Sequence, residues 1–516
     1  MALRRTPALV AGLAAATALP LLVAGAHANT AAPAAASTSS GLAATAAPAV
    51  RDRELLVRFK ATGQLQRVKV GAGQDPVALA KALRTRTDLF KTVGANLIAT
   101  AAGSRATGAQ EVATTPTTPA ATTPAPTTPA ISVPASAALA PPSGLKGWIP
   151  NDHVGDIGWT SLQWNFVGRW GVKATEAWDV LRRRSSATAG GNKVKVAVVD
   201  SGLAYRDAGA YRRSPDIDPS RVLPGYDFVD QDRFPDDESG HGTHVASTIA
   251  ADTDNDTGLT GLAYRAQIVP IRVLDDRDSG DVLAIARGIR YAIRREVDLI
   301  NLSVDFPVTT TAADIPEVID AVDAARRAGI LVVSSSGNDG TSRLAYPARA
   351  ASVLAVGATT ARGCRSTFSN SGSELALVAP GGGTDHSGDT KGRCEPGQPA
   401  PPIAQITLMR PGTTTDLGVP LDYYGTSMAA AHVTGVAALV LGSRIIGRHP
   451  SPDLLAAYLV RATRDLGPTG RDDDYGAGLI DAREAVSRAG AGARVRGAKR
   501  AVATAARKHR RALPIR

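Results

Sequence analysis

Three short stretches of the chain carry side chains that can do covalent chemistry. In "YYGTSMAAAHVTGVAALV", from Tyr423 to Val440, Ser427 stands between the turn at Gly425 and a run of small apolar residues. A hydroxyl at a helix start has two uses. It caps the free backbone N–H groups of the first turn, or it acts as a nucleophile beside N–H donors and a positive dipole end that suit a developing oxyanion. A serine alcohol is a poor nucleophile alone, so the second use requires a base that is itself oriented by a third group. "ESGHGTHVAS" offers His241 and His244, and "VAVVDSG" delivers Asp200 at the end of an apolar run. Two histidines at i,i+3 are a weak metal pattern without the H-E-x-x-H frame. His241, flanked by Gly240 and Gly242, is placed to reach outward from a helix start, whereas His244 lies further in and reads as structural. Asp200 by itself says little, because acids commonly terminate strands.

The elements around these residues give them a common address. "NKVKVAVVDSG" reads as an apolar strand ending at Asp200, "HGTHVASTIAA" as a helix, "AQIVPIRVLD" as a strand and "DVLAIARGIRYAIRREV" as an amphipathic helix. "DLINLSV" is a strand, "DIPEVIDAVDAARRAGI" a helix and "LVVSSSGN" another strand. Strands alternating with helices predict an α/β fold with a mostly parallel, doubly wound sheet covered on both faces. Functional groups in such folds gather at the carboxyl ends of the strands, where Asp200, Ser303 and Asn338 all fall.

The remainder of the 516 residues divides by composition. Residues 1–28 have a basic start at Arg4 and Arg5, an Ala/Leu/Val stretch and a closing Ala26-His27-Ala28, the pattern of a cleaved secretory signal. Residues 29–50 are an Ala/Thr/Ser spacer, residues 51–103 a small α+β module, and residues 104–143 a Thr/Pro/Ala-rich linker too poor in large apolar residues to fold. Residues 144–490 form the main domain and 491–516 a basic tail. No other stretch has the ~18 uninterrupted apolar residues of a spanning helix, so the mature protein is expected to be exported, soluble, without a membrane span, and monomeric. The two cysteines, Cys364 and Cys394, are expected to pair in an oxidising compartment. The net charge of +11 does not imply a nucleic-acid partner: the tail holds nine basic residues and no acid, leaving +2 for everything else. It reads as a mobile segment drawn to an anionic envelope.

Taken in order, "VVDSG", "HGTHVAS", "SSGND" and "GTSMAAAHV" resemble the subtilisin family of serine proteases, a resemblance that extends over roughly residues 148–490 and includes "YGAGLIDAREAV". It implies a subtilisin-like fold and a secreted serine endopeptidase, made as a zymogen, that hydrolyses peptide bonds in proteins. Ser427 would attack the scissile carbonyl, His241 would take and return its proton, and Asp200 would hold the imidazole. Asn338 would be the side-chain donor of the oxyanion hole, with the Ser427 N–H as the second. Ser303, Val304, Asp305, Ser335, Ser336, Gly337 and Ala345 match the positions that bind substrate, and residues 51–103 lie where the family keeps a propeptide that aids folding and blocks the cleft. No cofactor is implied for catalysis. "DTDNDTGLTG" resembles the family's structural calcium loop, with Asn255 at the ligand position and Asp254 and Asp256 beside it. Two departures stand out. Ala431 replaces a usual Pro in the turn after the nucleophile, and Asp305 replaces the Gly of a Ser-Leu-Gly strand. In the primary pocket that acid would favour Lys or Arg before the scissile bond and processing after Lys146; otherwise it faces water. The alternatives are an inactive protease-like binding protein, which would show a substituted catalytic residue, and a surface-associated processing protease.

Overall fold

The computed structural model describes residues 49–102, 139–140, 143–185, 187–386, 394, 397, 400–488 and 491–512, with side chains to 504. The segment expected to be a signal sequence and most of the spacer and linker lie outside the described residues, as do the last four residues of the tail. The chain forms two compact units.

The first unit takes the chain up to Ile98 together with the short segments 281–283 and 309–317. Its strands β1 (Val50–Phe59) and β2 (Leu65–Lys69) and the long β3 (Phe90–Ala101) form an antiparallel sheet in which β1 is central. Helix α1 (Pro76–Leu83) starts on Asp75, whose carboxylate accepts the Val77 N–H, with Pro at the first helical position. Its Leu79 and Leu83 are buried along with Leu55, Val57, Phe59 and Phe90. Arg84 pairs with Asp314 at 2.9 Å.

The second unit holds a nine-stranded sheet. After α2 (Ala174–Arg184) come β4 (Lys195–Asp200), β5 (Tyr226–Asp227), α3 (His241–Ala250), β6 (Gln267–Arg272), α4 (Val282–Arg294), β7 (Leu299–Leu302) and the two-residue β8 (Val304–Asp305). There follow α5 (Pro316–Arg327), β9 (Leu331–Ser335), β10 (Val353–Thr359), β11 (Leu377–Pro380), α6 (Thr426–Ser443), α7 (Pro452–Leu459), β12 (Thr463–Arg464), β13 (Leu479–Ile480), α8 (Ala482–Val486) and α9 (Ala491–Ala512). The order across the sheet is β12-β13-β11-β10-β9-β7-β4-β6-β5, parallel throughout except for the β12–β13 edge pair.

The near-continuous Val/Ile/Leu strands have this composition because both faces are covered. Val196 and Val198 point into the main core with α6, whereas a Cβ at Gly288 of α4 would come within 3.2 Å of Val199 and Ile271 on the other face. Helix α6 is buried from Thr426 to Val440 and packs on β7, β9, β10 and β11. It is the one helix among the described residues long and apolar enough to cross a membrane, and it is the central core helix of this unit. Cys364 and Cys394 are disulfide-bonded, with Cα atoms 4.7 Å apart.

The basic C-terminal segment, expected to be mobile, is instead the helix α9. Ala498 is fully buried and Val495 packs on the main core, while Arg494 pairs with Glu484 at 3.3 Å and donates to the Ser487 carbonyl at 2.6 Å. Alanine supplies both the helix propensity and the small side chains that allow close approach to α7, a signal that the charge count hid.

Candidate active site

Asp200 is the last residue of β4 and His241 the first of α3. Glycines let the two elements meet. Gly240 has φ +99, and a Cβ at Gly242 would sit 2.3 Å from the Gly202 carbonyl oxygen, a contact no other residue could make. Asp237, which the sequence reading missed, fixes the start of α3. Its carboxylate accepts the N–H groups of Ser239, Gly240 and Thr243 and the hydroxyls of Ser201 and Thr243, and Ser201 Oγ in turn accepts the Gly242 N–H. A carboxylate at a helix N-terminus satisfies free donors and complements the dipole. The available signal was an acid a few residues ahead of the histidine.

Within this frame His241 Nδ1 lies 2.6 Å from Asp200 Oδ1, and both side chains are buried. Burial alone would lower the imidazole pKa. The Asp200 carboxylate, with Asp278 and Asp237 further off, overrides burial and raises it to about 9. His241 Nε2 is buried and has no hydrogen-bond partner among the described residues. Ser427 lies in the first turn of α6, which packs against α3, and its hydroxyl donates to the Ser303 carbonyl at a long 3.4 Å. His244, read as structural, stacks on Tyr423 with ring centroids 4.3 Å apart and lies 2.9 Å from the Ile403 carbonyl.

Asn338 follows β9 and is oriented by a residue the sequence reading did not single out. Asn338 Oδ1 accepts both the N–H and the hydroxyl of Thr426, each at 3.0 Å. With its oxygen so engaged, the amide presents its N–H₂ group. The signal for Thr426 was its place inside the "GTS" string. Ser303 sits between β7 and β8; its hydroxyl accepts from Asn301 at 2.8 Å and donates to the Ser427 carbonyl at 3.2 Å. Ser336 and Ala345 are joined by a 2.8 Å backbone hydrogen bond, and a Cβ at Gly337 (φ +101) would come within 2.9 Å of the Ala345 Cβ. Ser335 is buried at the end of β9. The residues expected to bind substrate therefore fall into two groups, Ser303–Asp305 and Ser335–Gly337 with Ala345.

A four-residue piece of the chain lies along the first group. Ala99–Ala102 belongs to the second unit and continues β3. The Ala102 N–H donates to the Ser303 carbonyl at 3.0 Å, the Ala101 N–H to the Asp278 carbonyl at 2.9 Å, and the Ser427 N–H to the Ala102 carbonyl at 2.9 Å. A carbonyl on the Ser427 N–H is where an acyl group about to be attacked would sit.

This arrangement, and the sheet that positions it, has known counterparts. Residues 191–478 match the Subtilase family. The chain belongs to that family. It is 35% identical over 301 residues to Subtilisin DY of Bacillus licheniformis, covering 57% of this chain and 91% of that protein. It is 36% identical over 302 residues to Subtilisin E of Bacillus subtilis, covering 57% and 66%. Among solved structures a protease from Pseudoalteromonas arctica superposes with a TM-score of 0.53 at 29% identity, covering 66% of this chain and 99% of that one. This subtilase is a serine endopeptidase with the subtilisin-like α/β fold.

Asn255 lies in a loop where oxygens converge. Its outer amide atom is 2.8 Å from Asp152 Oδ1 and 2.9 Å from the Thr257 carbonyl. Asp152 also accepts the Asp254 and Asn255 N–H groups. Asp216 accepts the Leu259 N–H at 2.7 Å through one oxygen, and its other oxygen is buried without a hydrogen-bond partner among the described residues. The Asn255 amide can donate to two oxygens through its nitrogen or turn its oxygen inward toward a cation. Asp152 and Asp216 were missed because they come from distant parts of the chain.

Proposed function

We propose that this subtilase is an exported endopeptidase, made as a zymogen, in which Ser427 is the nucleophile, His241 the general base and acid, and Asp200 the residue that orients the imidazole. In that reading the Ser427 hydroxyl turns from Ser303 to His241 Nε2, the buried ring nitrogen without a hydrogen-bond partner among the described residues, and passes its proton there as Oγ bonds to the scissile carbonyl carbon. Asp200 keeps the proton on Nδ1 and stabilises the imidazolium, which then protonates the leaving amine. The oxyanion forms between the Ser427 N–H and the Asn338 amide, whose direction Thr426 sets; in a subtilisin, losing the side-chain donor costs roughly 10²–10³ in turnover. A long Ser–carbonyl contact in the resting state does not oppose this, because catalytic hydrogen bonds tighten in the reacting complex.

The observation that carries the zymogen reading is the Ala102 carbonyl on the Ser427 N–H. On this reading the bond after Ala102, rather than the one after Lys146, is the bond cut in maturation. The signal sequence supports export, and residues 51–98 precede that bond as a propeptide would. Expression of the wild type should release a species beginning at Gly103, as read by N-terminal sequencing, whereas Ser427→Ala should accumulate the uncut chain, hydrolyse no peptide and resist serine-directed phosphonylating reagents. A Ser427→Ala protein that still processes itself or keeps its activity would remove Ser427 from the mechanism.

Asp152, Asp216, Asn255 and the carbonyl of Thr257 suit a calcium ion by chemistry: hard oxygens, two of them carboxylates, one with a buried lone pair to spare. Calcium there would stabilise the loop and take no part in the reaction. The outward face of α9 carries the exposed Arg496, Lys499 and Arg500 and no acid, a surface for anionic envelope polymers. Its contacts would be screened by salt, so release of the protein from cells by moderate salt, and its loss on truncation at residue 490, test that localisation.

A further inference from the structure

The register of Ala99–Ala102 against β8 counts positions from the reacting carbonyl. Ala102 is the residue whose carbonyl rests on Ser427, Ala101 stands opposite Val304, and Thr100 stands opposite Asp305. Residues directly opposite in an antiparallel pair project to the same face. The Thr100 hydroxyl accordingly hydrogen-bonds the Asp305 carboxyl, and so does the Asn338 backbone N–H. The acid thus addresses neither the primary pocket nor bulk water, the two placements expected for it. It faces the third residue before the reacting carbonyl, at a position where the resemblance leads one to expect Gly and therefore no side chain.

We propose that Asp305 is a specificity residue that selects, at the third position before the scissile bond, a side chain that donates a hydrogen bond or carries positive charge. The inference rests on the reading of Ser427 as nucleophile and of the Ala102 carbonyl as the reacting group. A glycine at Asp305 would leave the third side chain of a substrate in water and unread. A carboxyl there is partly buried and has Thr100 as its side-chain donor, so an aliphatic or acidic third residue strands it, and stranding a buried polar group is costlier than the bond is favourable. The charged groups facing it are Asp339, which opposes ionisation, and His241, which favours it. Burial, reinforced by Asp339, pushes the Asp305 carboxyl up to about 7. Preference for Lys or Arg over Thr should therefore grow as pH rises above neutrality and the carboxylate forms.

The test is a set of fluorogenic peptides Ala-X-Ala-Ala, cleaved after the last Ala, assayed with wild type, Asp305→Gly and Asp305→Asn, each normalised to active sites titrated by a phosphonylating reagent. The wild type should favour X = Lys, Arg or Thr over Leu or Glu by about fivefold or more in kcat/KM, chiefly through KM. Asp305→Gly should flatten the profile, and Asp305→Asn should keep Thr while losing the advantage of Lys and Arg. A flat wild-type profile, or a preference that survives Asp305→Gly, overturns the proposal while leaving the nucleophile assignment standing. Retained cleavage by Ser427→Ala would instead overturn the reading beneath it.

Discussion

At the scale of single residues the site depends on side chains that never touch substrate. Thr426 gives both its N–H and its hydroxyl to Asn338 Oδ1. Thr426→Val keeps the shape and the N–H but removes one of the two bonds that aim the amide. We expect kcat to fall roughly three- to tenfold, the value of one hydrogen bond, with KM little changed. Thr426→Ser should restore kcat; a loss that Ser does not rescue would point to packing instead. Asp200 acts on His241 in a way that pH reports. The base must be unprotonated, and the Asp200 carboxylate raises the imidazole pKa from 6.5 to about 9 against the opposing effect of burial. The acid limb of kcat/KM should accordingly lie above pH 6.5, giving an alkaline enzyme. Without that carboxylate burial is opposed only by the more distant Asp278 and Asp237, so in Asp200→Asn the imidazole should titrate lower than in the wild type. Chemical-shift titration of His241 in the Ser427→Ala background, with and without Asp200→Asn, measures the difference directly; identical midpoints would refute the electrostatic account.

At the scale of elements the question is how β4, α3 and α6 are brought into register. A Cβ at Gly242 would overlap the Gly202 carbonyl at 2.3 Å, so Gly242→Ala must push α3 away from the loop after Asp200. Such overpacking costs about 1–3 kcal/mol, and because His241 adjoins Gly242 the activity loss should exceed what the stability loss alone explains. Urea unfolding set beside active-site titration separates the two, and an Ala variant with wild-type activity would mean the loop simply yields. The same elements show what the sequence disclosed. The α/β fold was legible because a strand buried on both faces must be a run of Val, Ile and Leu, and because the longer strands alternate with helices from Lys195 to Ser335, with short strands such as the two-residue β5 and β8 between them. Asp200, His241, Asn338 and Ser427 could be singled out as candidates because each sits in a short string that contains glycine, and Gly202, Gly240 and Gly242 have a mechanical purpose. Thr426 and Asp216 were harder to single out, since their bonds to Asn338 and Leu259 span 88 and 43 residues, and Asp237 was passed over because an acid four residues before a histidine is common in any loop. The helix α9 was missed because nine cations outweighed an alanine spacing that only packing reveals.

At the scale of the whole molecule Asp152 and Asp216, remote in sequence, both hold the loop at 254–259. Asp152 accepts the backbone N–H groups of Asp254 and Asn255, and Asp216 holds the Leu259 N–H, so the loop between α3 and β6 is already stapled at both ends. Gathering carboxylates with little countercharge opposes folding, and a divalent cation bound only to the native state would reverse the sign of that contribution. Chelation should therefore lower Tm, with the loss restored by calcium and, owing to the smaller ion's demand for tight octahedral geometry, restored poorly by magnesium. The stabilisation should grow with calcium concentration as RT ln(1 + [L]/Kd), giving about 2.7 kcal/mol at a hundredfold excess over Kd. Burial pushes the Asp216 carboxyl well above the usual carboxylate range, so Asp216→Asn removes a carboxylate ligand rather than a resident charge and leaves the fold a similar shape; it should abolish the calcium response while leaving the acid limb set by His241 where it was. A Tm that ignores both chelator and calcium would instead assign the Asn255 amide atom beside Asp152 and Thr257 to nitrogen, making the loop a hydrogen-bonded turn that needs no ion.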